Sequence, residues 1–446
     1  MTKKVLVIGM GVSGRASAEL LLSRGYTVIG VDTNAEALAS LEEIQSLEGR
    51  GVFVFSDKEP IDISSFDEIV ISPGIPSKHS MIEKARGCNI PVIGEAELAF
   101  RHLKDYRAVA ITGTNGKTTV TLLIEHVLNS SGYKARALGN IGSALSKFLQ
   151  LLEPGEIIVA ELSSYQLETM TSTVFDAAVL LNITPDHLDR YDSMDQYAAA
   201  KCRLQGCLKT AAPFFVFSQV AKDFGHLISD HFTTFGEDLS SNFWTDGHVV
   251  KQSESVEFFF PKEFDSSFKH DSLNALAAWA LCKTLGVTKE QFCRALVTFK
   301  KPAHRIEFVG LIDGVAYYDD SKGTNIDATI QAVTAMKGPV FLIAGGVDKG
   351  SSYTAWKEPF QNKVKEVFVL GQAAEKIRKE LGPFFKVTSV DSLSQAIDLA
   401  ASSALAGEVV LLSPGCSSFD MFRDYAHRGE EFQKCVNKLE ERSKNL

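Results

Sequence analysis

The chain lacks most features that would mark an exported, membrane-embedded or nucleic-acid-binding protein. Its seven cysteines (Cys88, Cys202, Cys207, Cys282, Cys293, Cys416 and Cys435) are odd in number, without the close pairs of a zinc site or the framework of a disulfide scaffold. A reducing, cytoplasmic setting is expected. No stretch approaches the roughly 18 consecutive apolar residues that span a bilayer, so no membrane insertion is expected. Lys3-Lys4 precedes an apolar run, but Gly9, Gly11 and Gly14 break it and Arg15 and Glu19 follow, which reads as a first strand instead of a signal peptide. Basic charge is also short. Lys and Arg number 46 against 55 Asp and Glu, a formal net charge of -9, which provides no footprint for a polyanion and argues against a nucleic-acid partner. Internal repeats and low-complexity tracts are absent too. What is present is a chain of 446 residues, 45% hydrophobic and 23% charged, long enough for two or three cores.

Short β-rich runs alternate with helical patterns nearly from end to end, predicting an α/β protein with parallel sheets. Three blocks separate. The first has strands at 5–8, 27–31 and 68–71, the second at 108–112, 157–160 and 177–181, and the third at 315–318, 340–344, 367–370 and 409–412. Between Phe214 and Phe268 the pattern becomes irregular and aromatic, with Phe243, Trp244 and Phe258-Phe259-Phe260. It predicts a small antiparallel patch whose aromatic rings supply core and edge packing.

Two glycine-rich turns stand out. Gly9-Met10-Gly11-Val12-Ser13-Gly14 follows the first strand, leads into a helix at 15–24, and the next strand ends at Asp32. Such glycines permit a tight turn and close approach to a phosphate, and Asp32 is placed to accept from ribose hydroxyls. Taken alone, this motif fits a nicotinamide-dependent oxidoreductase as well as another nucleotide binder or a structural turn. The second turn is Gly113-Thr114-Asn115-Gly116-Lys117-Thr118-Thr119, between a strand and a helix at 120–128. Its backbone N–H groups can cradle ATP phosphates, Lys117 supplies a point charge, and the Thr118 hydroxyl can ligate Mg²⁺. The usual phosphate loop carries a further glycine where this chain has Ile111, so the loop is a shortened variant. Glu161 closes another strand, where it can complete a Mg²⁺ shell or cap a helix. Asp186-His187 follows a third strand; a lone histidine is more often structural than a ligand, yet this one falls just past a strand end beside an acid.

With these residues in hand, the sequence resembles the Mur ligase family, which includes folylpolyglutamate synthetases. The shortened loop, Glu161 and Asp186-His187 match the family broadly. Ser72-Pro73-Gly74-Ile75, Gly139-Asn140-Ile141-Gly142, the runs from Glu161 to Glu168 and from Asp186 to Tyr191, and Leu411-Leu412-Ser413-Pro414-Gly415-Cys416-Ser417-Ser418-Phe419-Asp420 match the D-glutamate-adding members more closely. The resemblance covers essentially the whole chain in one order. It implies three domains: a Rossmann-like N-terminal domain at 1–95 that binds a UDP-linked substrate, a central P-loop ATPase-like mononucleotide-binding domain at 96–301, and a C-terminal Rossmann-like domain at 302–446 that binds the incoming amino acid.

The implied activity is ATP-dependent addition of D-glutamate to UDP-N-acetylmuramoyl-L-alanine through an acyl phosphate, in peptidoglycan precursor synthesis, by a monomer. A family member of different amino-acid specificity, an oxidoreductase and a non-catalytic nucleotide sensor are the rival readings. The resemblance assigns Lys117, His187 and Lys201 to catalysis, and Thr118, Glu161, His187 and Lys201 to two Mg²⁺ ions, with Lys201 carbamylated by CO₂. ATP is assigned to Gly113, Thr114, Asn115, Gly116, Lys117, Thr118, Thr119, Asn274, Arg305 and Asp320. The UDP substrate falls to Gly11, Val12, Ser13, Asp32, Thr33, Ser72, Asn140 and Ser163, and D-glutamate to Lys322, Thr324, Lys349, Ser418, Phe419 and Tyr425. Asp271 stands where the family pattern has an Asn.

Overall fold

The computed structural model describes residues 2–444 except 77, 104, 142–143, 150 and 265–268. Gly142 of the Asn140-containing motif and the Phe268 end of the aromatic stretch thus lie outside the described residues. Three sheets follow one another along the chain. The first comprises β1 (Lys4–Ile8), β2 (Thr27–Asp32), β3 (Phe53–Ser56), β4 (Glu68–Ile71) and β5 (Val92–Gly94), in the order β3-β2-β1-β4-β5 and parallel throughout. The second has nine strands: β6 (Arg107–Thr112), β7 (Ala135–Gly139), β8 (Ile157–Glu161), β9 (Ala177–Leu180), β10 (Phe214–Phe217), β11 (Thr233–Gly236), β12 (Phe243–Thr245), β13 (Val249–Gln252) and β14 (Ser255–Phe259). Its order is β14-β13-β12-β11-β10-β9-β6-β8-β7. The third runs β15-β16-β20-β17-β18-β19 from β15 (Glu307–Ile312), β16 (Val315–Asp319), β17 (Val340–Gly345), β18 (Val364–Leu370), β19 (Lys386–Ser389) and β20 (Val409–Leu412).

The inner strands, such as β1, β8, β9, β17 and β20, are continuous apolar runs because both faces of the sheet are covered there. In β8, Ile157 and Val159 enter the core beneath helices Lys117–Ser130 and Lys269–Thr284, while Ile158 and Ala160 enter a second core with Phe100, Phe175 and Leu204. The side-chain period of two places successive residues on opposite faces. Each fully buried Val, Ile or Leu adds about 1.5–3 kcal/mol of transfer free energy, so the register that buries both sets is strongly preferred.

One local expectation needs correcting. The aromatic stretch is not only an antiparallel patch: β10, β11 and β12 extend the central sheet in parallel, and antiparallel pairing begins at β12–β13. Phe215, Phe235, Phe243 and Phe258 all lie in the main core. Their burial in a sheet covered by a helix decides the outcome, and sequence alternation at this length does not reveal strand direction.

The chain forms two compact units. One comprises Met1–Ile183 with Asp195–Phe299, and the other Thr184–Met194 with Lys300–Leu446. The first contains the first two sheets, joined through helix Glu95–Arg101. Its Glu97 carboxylate accepts hydrogen bonds from the N–H and hydroxyl groups of Thr171 and Ser172 and pairs with Arg101, which also reaches Glu68. The short segment carrying His187 groups with the third sheet, although the sequence reading assigned it to the central block. Asp186 explains this placement, because its carboxylate meets Lys349 Nζ at 3.1 Å and Asn325 Nδ2 at 3.3 Å. No helix of the described residues is long and apolar enough to cross a membrane.

Candidate active site

In the first unit, β6 lies between β9 and β8, so three adjacent strands end on the same edge. The turn after β6 needs its glycines. Gly113 and Gly116 have φ of 151° and 85°, and a Cβ would stand 2.9 Å from Leu181 Cβ at the first and 2.6 Å from Asn274 Oδ1 at the second. Asn182, following β9, braces the loop. It accepts from the N–H groups of Thr114 and Asn115, and its amide donates to Asn115 O at 3.0 Å. Lys117 Nζ donates to the carbonyls of Gly113 and Thr114 at 2.9 and 2.8 Å. Helix Lys117–Ser130 starts with no side-chain cap and no acidic residue in its first turn. Its leading N–H groups and positive dipole end, with half-buried Thr118 and buried Thr119, form an arrangement that receives a phosphate.

Glu161 ends β8 and pairs in register with Ile111 of β6. The residue is 2% exposed. Its Oε1 accepts from Asn140 Nδ2 at 3.2 Å, and its Oε2 is buried with no hydrogen-bond partner among the described residues. Leaving such an oxygen unpartnered is costly. A hard cation satisfies it, and the Thr118 hydroxyl at the start of the helix after β6 belongs to the same donor class, so the residues present fit Mg²⁺. Lys201, 1% exposed on helix Met194–Cys202, donates to Gly113 O at 2.8 Å and lies over the Tyr197 ring at 4.5 Å. Two lysine amines thus meet at one carbonyl oxygen. The Tyr197 hydroxyl is 3.2 Å from Thr114 Oγ1.

The first sheet changes winding direction between β1 and β4, where open α/β sheets bind ligands. Gly14 packs so tightly that a Cβ would lie 1.8 Å from Gly9 O, whereas one on Gly11 would meet nothing within 4 Å. Gly14 is thus required by the fold, while Gly11 leaves room on the outer side of the turn. The Asp32 oxygens accept from Met10 N–H at 2.7 Å and Asn34 N–H at 2.8 Å, so its first task is to shape the turn. Ser72 Oγ donates to Gly9 O, and Thr33 Oγ1 donates to Asp57. Val12 is 60% exposed and opens helix Val12–Ser23 with Ser13. Ser163 is an N-cap: it forms a capping box with Gln166, a structural use of that hydroxyl.

In the second unit, the loops after β16, β20 and β17 are likewise neighbours. Arg305 lies between His304 and Ile306, whose φ values of 61° and 46° are left-handed, a strained setting for a β-branched residue. Its Nε is buried without a partner among the described residues. Asp320 is 1% exposed and accepts from Ser413 Oγ at 2.7 Å and Ile306 N–H at 3.2 Å. Burial pushes its carboxyl up to about 7, against the opposing pull of Arg305. His304, Glu307 and Asp319 also cluster. His304 Nδ1 and Asp319 Oδ2 are 2.7 Å apart, and Glu307 accepts from His304 N–H, so these atoms satisfy one another. The Asp319 bond raises the His304 pKa. Lys322 Nζ lies 3.5 Å from the Tyr425 hydroxyl, Thr324 is half-buried, Ser418 is buried, and Phe419 is exposed.

Models of three successive domains match the chain: the Mur ligase MurD-like N-terminal domain at residues 3–94, the Mur ligase middle domain at 111–282, and the Mur ligase glutamate ligase domain at 304–416. The chain belongs to the Mur ligase family. It is 49% identical over 98% of both chains to UDP-N-acetylmuramoylalanine--D-glutamate ligase of Protochlamydia amoebophila, and 38% identical over 99% of both to the protein of that name from Koribacter versatilis. Its fold is similar to UDP-N-acetylmuramate-alanine ligase MurC from Thermotoga maritima, with a TM-score of 0.58 at 19% identity over 98% of this chain and 99% of that one. It is also similar to the MurF ligase of Thermotoga maritima, solved in complex with ADP, with a TM-score of 0.60 at 17% identity over 92% and 95%.

Within this Mur ligase chain, the structure brings together Gly113 to Thr119, Asn274, Glu161, Asn140 and Lys201. His187 belongs to the other unit, with Asp186 and Lys349. Sequence reasoning missed Asn182 and Tyr197 as supports of the phosphate loop. Asn182 was legible only as a residue just past a strand, and Tyr197 only by its spacing from Lys201 on one helix face.

Proposed function

We propose that this Mur ligase joins D-glutamate to UDP-N-acetylmuramoyl-L-alanine, consuming ATP and passing through an acyl phosphate. The observation that carries the reading is the buried, unpartnered Oε2 of Glu161 on the strand beside the phosphate loop. The names of relatives at 49% and 38% identity supply the substrate. A carboxylate does not react with an amine directly because oxide would have to leave. Lys117 and the N–H groups of the helix start hold the ATP phosphates while the γ-phosphoryl passes to the L-alanine carboxylate and ADP departs. The D-glutamate amine then attacks the acyl carbon, the C–O bond to phosphate breaks, and the amine proton is released.

Thr118 and Glu161 are the residues that would hold the first Mg²⁺, and His187 and Lys201 are assigned to a second ion. When bound, Mg²⁺ supplies Lewis-acid stabilisation of phosphoryl charge. Carbamylation joins the neutral Lys201 amine nitrogen to the carbon of CO₂, with two protons released in all from the ammonium, and would turn one of the two amines at Gly113 O into an anionic oxygen ligand. Asn274, Arg305 and Asp320 are assigned to ATP. Gly11, Val12, Ser13, Asp32, Thr33, Ser72, Asn140 and Ser163 are assigned to the UDP substrate, and Lys322, Thr324, Lys349, Ser418, Phe419 and Tyr425 to D-glutamate. The test is mass detection of product from ATP, UDP-N-acetylmuramoyl-L-alanine and a panel of amino acids. D-glutamate alone should be incorporated, and Lys117→Ala should abolish ADP release while UDP-substrate binding persists. Incorporation of another amino acid, or turnover by Lys117→Ala, rejects the assignment.

A further inference from the structure

The guanidinium of Arg428 is among the most deeply placed charges in the second unit. The residue is 2% exposed and lies near the start of helix Tyr425–Lys444. Its Nε donates to Ser321 Oγ at 2.9 Å, and one terminal nitrogen donates to Ser321 O at 2.9 Å and Cys416 O at 3.1 Å. The other terminal nitrogen reaches Gly345 O and Ser417 O, both at 3.4 Å. These acceptors lie at the end of β17 and in the loops that follow β20, its neighbour in the sheet, and β16, the next strand over. The acceptors are carbonyls and one hydroxyl, and Arg428 forms no ion pair among the described residues. Burial accordingly lowers its pKa to about 10.

A buried cation with no carboxylate in direct contact, on which Asp420, Asp319 and Asp320 act only at longer range, is a poor way to stabilise a core, since an apolar side chain of similar volume would avoid the desolvation cost. Its planar fork does suit the simultaneous orientation of several carbonyls. The helix is fitted to the same purpose at its next residue. A Cβ on Gly429 would stand 2.2 Å from His304 Nδ1 and 2.7 Å from Asp319 Oδ2, so the close approach that seats Arg428 requires glycine there. Further along, Gln433 donates to Asp319 and Glu307. Ser321 Oγ, the acceptor of Arg428 Nε, in turn donates to Tyr425 O at 2.7 Å. Lys322 follows Ser321, Gly346 and Lys349 follow Gly345, and Ser418 follows Ser417 in the chain.

We propose that Arg428 is a positioning residue for the incoming amino acid: it ties the three strand-end loops that carry Lys322, Lys349 and Ser418 into one register without touching substrate. This rests on the assignment of those three side chains to D-glutamate. The test measures KM for each substrate and kcat in the full chain. Arg428→Ala should raise KM for D-glutamate by about tenfold or more, the scale on which groups displaced by a fraction of an ångström lose a ligand. KM for ATP and for the UDP substrate should change less than twofold or so. Added guanidinium should restore D-glutamate binding in Arg428→Ala, and Arg428→Lys should recover only part of it, because an ammonium cannot span five acceptors. Ser321→Ala, which removes only the hydroxyl link, should move the same constant in the same direction by a few fold, and it reports if Arg428→Ala fails to fold. Equal rises in all three KM values, no rescue by guanidinium in a folded variant, or an unchanged D-glutamate KM in Ser321→Ala would overturn the proposal. Lys349→Ala separates the two layers: an unaltered D-glutamate KM in that variant refutes the site assignment itself, whatever Arg428 does.

Discussion

The protonation of Asp320 sets a stability cost that can be measured. Its carboxyl is 1% exposed, and burial lifts its pKa from 3.8 to about 7 in the folded chain. Between those two values the native state holds a proton that the unfolded state has lost, so stability falls as pH rises through this window and levels off above it. The shift of roughly three pK units corresponds to about 4 kcal/mol at 1.36 kcal/mol per unit. Asp320→Asn removes the titration. The amide reproduces the protonated acid, with one carbonyl acceptor and an N–H in place of the O–H, and the Ser413 hydroxyl can accept from either. The variant should therefore be about 4 kcal/mol more stable than the parent at pH 8 and within about 1 kcal/mol of it near pH 4. Denaturant unfolding of both chains from pH 4 to 8, followed by the transition that includes the third sheet, reads the difference. Parallel stability profiles for the two chains would show that the folded carboxyl titrates normally, and the argument from burial would fail.

Other perturbations address the sites separately. Lys201→Ala should lose most activity and regain part of it with a short carboxylic acid in the buffer; full activity without the acid would remove the carbamate. Gly11→Ala, with nothing within 4 Å of the added Cβ, should keep its melting temperature yet lose UDP-substrate affinity by calorimetry, and unchanged affinity would argue that the turn does not approach a ligand. Glu97→Ala strands the donors of Thr171 and Ser172 and the charge of Arg101, so unfolding should become easier by about 3–5 kcal/mol. A loss below about 1 kcal/mol would mean the donors find water instead.

Much of the fold was legible because its signals are local. Continuous apolar strands bounded by glycine turns declare a parallel, covered sheet, and a strand, a Gly-x-x-Gly-Lys-Thr turn and a helix start must present N–H groups together whatever surrounds them. The strand order of the central sheet was not local information. It decided that Glu161 and Asn182 flank the phosphate loop, since only the pairing of β8 and β9 with β6 makes those strand ends neighbours. It also decided that the aromatic stretch extends the sheet in parallel before it turns back.

Long-range contact settled the remaining assignments as well. Asp32 was legible as an acid after a strand, but its bond to Met10 depends on how two strands lie side by side. The Thr184–Met194 segment packs with the third sheet, where Asp186 finds Lys349 and Asn325 far along the chain. The sequence by itself determined the α/β class, the order of the blocks and the phosphate-binding turn, since those follow from spacing between near neighbours. Only the tertiary structure decided which strand ends share an edge, which carboxylate keeps an oxygen unpartnered, and which arginine ties three loops. Each of these is set by residues that are distant in sequence and meet only when the sheets are packed.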